Sequence, residues 1–403
     1  MSSQSASPRT ALVLTGGGAR AAYQVGVLRA IGALFPPGTP SPFAVLCGTS
    51  AGAINVAALA ADATNFRRAV RRLVSVWKDF HAHHVYRSDV AGMAGCCARL
   101  VAALMLGGVR SQNPASLLDN TPLESLLRRR LDLAGIRRSI DRGALSAVAV
   151  TASGYTSGES ISFFEGEPAL EGWRRSRRVG VRTELDIPHL IASAAIPFVF
   201  PPVRIHREFF GDGSMRQIAP ISPALHLGAD RVLVISVAAT QSPAPRAASD
   251  GFPSLAQIAG HALNSIFLDA LEADLERLER INRTVALVKA NASTTAPLGL
   301  KHVDSIVIAP SEPLERIAMR HVSALPRPVR FFLRGVGAMR RSGSSLASYV
   351  LFERPFCRAL MRLGYEDAMR RRGELEAFFG LEPESAPSSP LEDARDTELK
   401  AIA

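Results

Sequence analysis

The chain has 403 residues, 47% of them hydrophobic, which is enough for one large domain or two ordinary ones. Its formal net charge of +11 favours an anionic partner, either a membrane surface or a nucleic acid. No zinc-finger spacing, RNP-like aromatic motif or basic low-complexity tail occurs, so we expect no nucleic-acid partner. The polar first ten residues lack the apolar region of a signal peptide, and four cysteines make a poor disulfide framework. These features predict a cytoplasmic protein.

The first part of the chain alternates strands and helices. Residues 11–15 predict a strand, 16–21 a glycine-rich turn and 22–31 a helix. A second apolar strand at 43–47 and an alanine-rich helix at 51–61 follow. This βαβα order predicts a mostly parallel sheet covered by helices.

A glycine–serine motif lies between the second strand and its helix. Gly48, Ser50 and Gly52 form the pattern G-x-S-x-G, which is typical of a nucleophile elbow. There a sharp turn exposes the serine hydroxyl, and the flanking glycines let the backbone pass closely. The hydroxyl would lie near a helix N-terminus, whose free N–H groups favour negative charge. The same residues also fit a plain Gly/Ser loop, so the motif alone does not distinguish a nucleophile elbow from such a loop.

The earlier glycine turn also permits two interpretations. Gly16, Gly18 and Ala21 fit a dinucleotide-binding fingerprint, which expects an acidic residue about twenty positions further on. However, no Asp or Glu occurs between residues 21 and 61. The turn also fits an oxyanion hole, in which clustered N–H groups bind a tetrahedral intermediate. We favour the oxyanion hole, because it explains why both glycine turns occur so early in the chain, and we expect no cofactor.

Asp212 is the candidate base for a serine nucleophile. It lies between two glycines after an apolar run, a context that by itself is typical of a structural turn. None of the nine histidines occurs in a distinctive motif, which leaves Asp212 as the candidate. His81, His83 and His84 resemble a metal cluster, but no cysteine or acidic ligand spacing supports one, so we expect no metal.

Two stretches are candidates for contact with lipid. Residues 91–109 are apolar except for Arg99 and approach the length of a membrane span. Their four glycines and central arginine argue against a span, so we expect a buried helix or an interfacial lid. Residues 327–341 mix arginines with apolar side chains at helical spacing, and could lie on a membrane or form an ordinary surface helix.

The remaining predicted elements follow in chain order. Strands are predicted at 145–151, 160–164, 230–237 and 303–309. Helices are predicted at 63–90, 122–133, 187–195, 255–282 and 346–379, with a loop at 240–254.

In its motifs the chain resembles bacterial patatin-like phospholipases. The residues that support this resemblance are the turn at 16–20, the elbow at 48–52 and the Asp212-Gly213 pair, in that order along the chain. The resemblance implies a three-layer α/β/α sandwich with Ser50 as nucleophile and Asp212 as base. It also implies an oxyanion hole at the first turn, formed by Gly16, Gly17, Gly18 and Arg20.

The chain pattern and the resemblance together predict a domain plan and an activity. The plan is a catalytic core at 10–240, a mainly helical part at 241–380 that packs on the same domain, and a disordered tail at 381–403. The activity that the resemblance implies is ester hydrolysis of acyl lipids by a Ser–Asp dyad. The net charge of +11 and the stretch at 327–341 predict peripheral contact to an anionic membrane surface, the inner membrane for a cytoplasmic protein. The alternative is a non-catalytic membrane-associated scaffold that keeps the fold.

Overall fold

One ten-stranded sheet organises the chain. A computed structural model describes residues 8–89, 95, 116–239, 252, 254–290, 300–335, 337–339 and 344–382. Its strands are β1 Thr10–Leu14, β2 Val45–Thr49, β3 Ala147–Gly154, β4 Ser160–Gly166, β5 Trp173–Arg175, β6 Arg178–Arg182, β7 Val203–Ile205, β8 Glu208–Asp212, β9 Arg231–Ile235 and β10 Asp304–Ile308. Their order is β10-β9-β1-β2-β3-β4-β6-β5, and β8 pairs with both β3 and β7.

The sheet has a parallel half and a half built mainly from antiparallel pairs. From β10 to β3 every neighbouring pair is parallel. Beyond β3 the pairs β3–β4, β3–β8, β5–β6 and β7–β8 are antiparallel, and only β4–β6 is parallel. The βαβ order of the sequence predicts the first half, because each crossover there carries helices.

Fourteen helices of the described chain surround the sheet. Their bounds are α1 Ala22–Leu34, α2 Ala51–Ala60, α3 Phe66–Trp77, α4 Thr121–Arg130, α5 Ala134–Asp141, α6 Ile187–Ser193, α7 Ser222–His226, α8 Leu255–Asn264, α9 Ala270–Ala290, α10 Leu314–His321, α11 Arg327–Gly335, α12 Ser344–Val350, α13 Arg354–Arg370 and α14 Arg372–Phe379. A π-helical segment, Ser265–Asp269, joins α8 to α9.

Alternating strand residues divide the interior into two cores. In β1, Leu12 and Leu14 belong to the core shared with α1, α2 and α3. Ala11 and Val13 belong to the core on the opposite face, shared with α7 and α9. A period of two places successive side chains on opposite faces of a sheet. The molecule is therefore a three-layer α/β/α sandwich, as predicted.

The C-terminal helices pack directly on the first helix. A Cβ at Gly26 of α1 would lie 2.1 Å from the Met361 carbonyl oxygen of α13. A Cβ at Gly364 of α13 would lie 2.2 Å from the Tyr23 carbonyl oxygen of α1. Two small residues at one crossing allow this approach, and any larger side chain at either glycine would separate the helices.

Several sequence predictions differ from the structure. The helix predicted at 63–90 ends at Trp77, and residues 82–84 form a separate short turn. The helix predicted at 255–282 is interrupted by the π-helical segment and continues to residue 290. The sequence did not predict α5, α10, β5 or β6.

The structure describes most of one of the two stretches that are candidates for contact with lipid, and only one residue of the other. Apart from Gly95, residues 91–109 lie outside the described residues, as does the tail from 383 onward. Among the helices that are described, none has the length and apolar composition needed to cross a bilayer. Within the stretch at 327–341, residues Arg327–Gly335 form α11, which buries Val329 and Leu333 and leaves Phe331 82% exposed.

Candidate active site

Ser50 occupies a strained turn between β2 and α2. Its backbone has φ 56° and ψ −130°, a region that non-glycine residues rarely adopt. Such a conformation costs on the order of 1–3 kcal/mol and persists only where the surrounding structure enforces it. The turn places the serine at the N-terminus of α2, so the loop has the geometry of a nucleophile elbow.

Two glycines make this turn sterically possible. A Cβ at Gly48 would lie 2.5 Å from the carbonyl oxygen of Gly52. A Cβ at Gly52 would lie 2.5 Å from the carbonyl oxygen of Leu14 at the end of β1. The G-x-S-x-G spacing therefore reflects close packing of α2 against the C-terminal ends of β1 and β2.

Sheet register brings Asp212 to the same end of the sheet as Ser50. Thr49 pairs with Thr151 of β3, and Asp212 of β8 pairs with the next β3 residue, Ala152. The Asp212 side chain is fully buried, and burial raises its pKa to about 6. The Ser50 hydroxyl offsets part of this rise through hydrogen bonding. This contact is loose, since Oδ2 of Asp212 has no partner that satisfies full hydrogen-bond geometry among the described residues.

The other carboxylate oxygen of Asp212 is held by the chain beside it. Oδ1 accepts a hydrogen bond of 2.9 Å from the Ser214 N–H. A second serine, Ser193 of α6, links the elbow to β3. Its Oγ accepts from the Ser50 N–H at 2.9 Å and donates to the Thr151 carbonyl at 2.6 Å. Sequence analysis alone assigns no role to Ser193, because this contact depends on two strands and a helix meeting in space.

The first glycine turn lies beside α12. The N–H groups of Gly17 and Gly18 have no hydrogen-bond acceptor among the described residues. Gly18 has φ +54°, and a Cβ there would lie 2.3 Å from the Tyr349 carbonyl oxygen. A Cβ at Gly16 would lie 2.5 Å from the hydroxyl of Ser214. The turn is therefore close to the segment that carries Asp212, and it has N–H groups free to bind an anion.

The Arg20 side chain is buried beside α12 and is only 1% exposed. Its guanidinium donates to Glu315 Oε1 at 2.7 Å and to Ser348 Oγ at 2.8 Å. Its Cζ lies 4.0 Å from the ring centroid of Tyr349. Arg20 could brace the glycine turn or supply positive charge to a bound oxyanion. These contacts favour the bracing role.

No described histidine has a hydrogen bond to Ser50 or Asp212. His81 instead contacts Glu353 at 2.9 Å, and its ring stacks on that of His83. Within the described part of the chain, no three His, Cys, Asp or Glu side chains converge on a possible metal position. The arrangement at the elbow is therefore a serine next to a buried carboxylate, near a glycine turn whose N–H groups have no acceptor among the described residues.

Such an arrangement suits acyl transfer, and sequence comparison supplies the family. The model of the patatin-like phospholipase family matches residues 12–225, more than half of the chain. The chain therefore belongs to the patatin-like phospholipases, and it is an enzyme of the phospholipase and esterase class. A comparison with curated proteins finds no match.

Two solved structures are among those that match the chain. The chain is 15% identical to human GIVD cytosolic phospholipase A2 in complex with methyl gamma-linolenyl fluorophosphonate, with a TM-score of 0.43. That match covers 93% of this chain but 59% of the human chain, so this chain spans about three fifths of its length. VipD from Legionella pneumophila is 14% identical, with a TM-score of 0.31, and the match covers 86% of this chain and 67% of VipD.

Proposed function

We propose that this chain is a serine lipid acyl hydrolase that cleaves carboxylic ester bonds of phospholipids or related acyl lipids through a Ser50–Asp212 dyad. The observation that carries the proposal is the strained elbow serine beside a fully buried carboxylate whose pKa is raised to about 6. A base with a pKa near the working pH transfers protons most effectively.

In the first half of the reaction, Ser50 Oγ attacks the ester carbonyl carbon while its proton moves to Asp212. The carbonyl oxygen becomes an oxyanion and binds the N–H groups of Gly17 and Gly18, which have no other acceptor in the described chain. The tetrahedral intermediate then expels the alcohol, which takes the proton from Asp212. An acyl-serine remains.

In the second half, Asp212 takes a proton from water, which attacks the acyl-serine. The oxyanion binds the same N–H groups, and Ser50 recovers its proton as the fatty acid leaves. The rival function is a non-catalytic membrane-associated scaffold. Such a protein has no need of a strained serine next to a buried carboxylate, since both features cost stability.

Labelling with a serine-directed fluorophosphonate tests the proposal. We expect stoichiometric modification of the wild-type protein with loss of fluoride, located by peptide mass spectrometry at Ser50. Heat-denatured protein is the control, because labelling should require the folded elbow. A folded wild-type protein that does not react would support the scaffold.

The raised pKa of Asp212 predicts the pH dependence of hydrolysis. Asp212 accepts a proton only when it is ionised, so kcat/KM should rise about tenfold per pH unit below pH 6 and level off above it. The measurement is chromatography of the released alcohol between pH 4 and 9. A plateau already reached at pH 5 would contradict the assignment, because it would mean an ordinary carboxyl pKa.

Membrane contact is a second part of the proposal. Arg327, Arg330 and Arg334 flank the exposed Phe331 on α11. We expect co-sedimentation with anionic vesicles that weakens as salt rises, because the Debye length falls from about 10 Å at 0.1 M to about 3 Å at 1 M. Phe331→Ala with Arg334→Gln should reduce binding, whereas Arg207→Gln, a surface change elsewhere, should not. Binding that is equal on uncharged vesicles would contradict this part.

A further inference from the structure

A groove runs from Ser50 along one side of α2. Its volume is about 400 Å³. Ala51, Ile54, Ala58 and Ala61 line it at intervals of three or four residues, which places them on one face of the helix. Three of the four are alanines, and their small side chains leave the space between α2 and the helices that cover it.

The walls of the groove are mainly apolar. They include Leu73 and Trp77 of α3, Leu127 of α4 and Phe352 after α12. Helix α2 has ten residues and is about 15 Å long, which sets the length of the apolar part. An extended alkyl chain advances about 1.25 Å per carbon, so about twelve carbons would span it. The groove therefore suits an acyl chain attached to Ser50.

Charged side chains line the groove near the C-terminal end of α2, where Asp62 follows Ala61 and a Cβ at Gly135 would lie 2.2 Å from the Ala61 carbonyl oxygen. Arg68, Arg72, Arg130, Arg138 and Arg142 line it together with Asp62 and Asp132. Asp62 pairs with Arg68 and Arg72, and Asp132 pairs with Arg138. The side chains of Arg130 and Arg142 have no hydrogen bond or ion pair within the described part of the chain. Two guanidinium groups thus remain available at the end of an apolar groove.

We propose that this groove selects esters whose acyl chain ends in a carboxylate, which Arg130 and Arg142 bind. The inference rests on the proposed ester hydrolysis at Ser50. A guanidinium binds a carboxylate through two parallel charge-assisted hydrogen bonds. An uncharged chain of equal length would place its methyl end among charged groups and gain no such contact. A short chain would end within the apolar part and would not reach either arginine.

Soluble p-nitrophenyl esters test the inference without a membrane. We expect kcat/KM for mono-p-nitrophenyl dodecanedioate to exceed that for p-nitrophenyl dodecanoate about tenfold, both below their micelle concentrations. The corresponding pair of about six carbons should show no preference. Because both arginines are exposed, the preference should shrink as salt rises.

The matched variants separate these arginines from general surface charge. Arg130→Leu with Arg142→Leu should abolish the preference and leave hydrolysis of p-nitrophenyl butyrate unchanged. Arg128→Leu with Arg137→Leu removes the same charge from nearby positions on α4 and α5, and those residues pair with Glu124 and Asp141 outside the groove. The Arg128→Leu/Arg137→Leu variant should keep the preference for the dicarboxylate monoester.

The outcomes distinguish this inference from the proposed function. Hydrolysis of the butyrate ester with no preference for the dicarboxylate monoester would overturn the inference alone. Loss of the preference in both double variants would also overturn it, because general charge would then be the cause. Absence of butyrate hydrolysis by the folded wild-type protein would instead overturn the proposed function.

Discussion

Replacing Ser50 by alanine is expected to lower kcat/KM for p-nitrophenyl butyrate by roughly 10³-fold or more, because no acyl-enzyme can form. The fold should survive, since the Ser50 N–H still donates to Ser193 and only the hydroxyl is lost. Kinetics of the purified variant, with circular dichroism as a check on folding, provide the measurement.

Ser214→Ala is the matched control for this prediction. Ser214 also contacts Asp212, and its backbone N–H donates to the carboxylate whatever its side chain is. We expect this variant to keep most of the activity and the fluorophosphonate labelling. Residual activity of Ser50→Ala above a few per cent, or equal losses in the two variants, would remove Ser50 as the nucleophile.

Asp212→Asn should inactivate the protein about as severely as Ser50→Ala, because the two residues act in one pathway. Asn keeps an oxygen that accepts from the Ser214 N–H, but it cannot take up the serine proton. Each of the nine His→Ala variants should keep substantial activity, since no described histidine bonds to either residue. A folded Asp212→Asn protein that retains more than about a tenth of the activity, a loss under roughly 1.4 kcal/mol, would refute the dyad.

The stability of Asp212→Asn provides an independent control. Burial raises the pKa of Asp212 from 3.8 to about 6, so the ionised form is disfavoured in the folded state. At 1.36 kcal/mol per unit, its ionisation costs up to about 3 kcal/mol above pH 6 and nothing below about pH 4. The Asn variant should therefore unfold at a higher temperature than wild type at pH 7, and not at pH 4. An inactive variant that is also less stable at pH 7 would indicate structural damage instead.

The first half of the fold follows closely from local sequence. The strands predicted at 11–15 and 43–47 lie at Thr10–Leu14 and Val45–Thr49. The helix predicted at 51–61 is Ala51–Ala60. Apolar runs and glycine turns determine these elements, because the two interior strands have both faces buried.

The second half depends on contacts that a local pattern does not contain. The short strands β5 and β6 are rich in arginine, so they lack the apolar alternation that marks a strand. Helix α5 carries only a short apolar stripe between charged residues. The candidate site shows the same contrast: the motifs point to Ser50 and Asp212, whereas the partners of Arg20 lie about 300 residues further along the chain.

The contacts of Arg20 determine how the protein can be divided. The match to the family model ends at residue 225, and a fragment cut after β9 would still contain both Ser50 and Asp212. That fragment would lack Glu315, Ser348 and Tyr349, which bind and cover the Arg20 guanidinium, and it would expose the glycine turn that Tyr349 covers. The smallest autonomous unit therefore extends at least through α12, and truncation libraries or chimeras that use the homology boundary would separate the active-site loop from its own support.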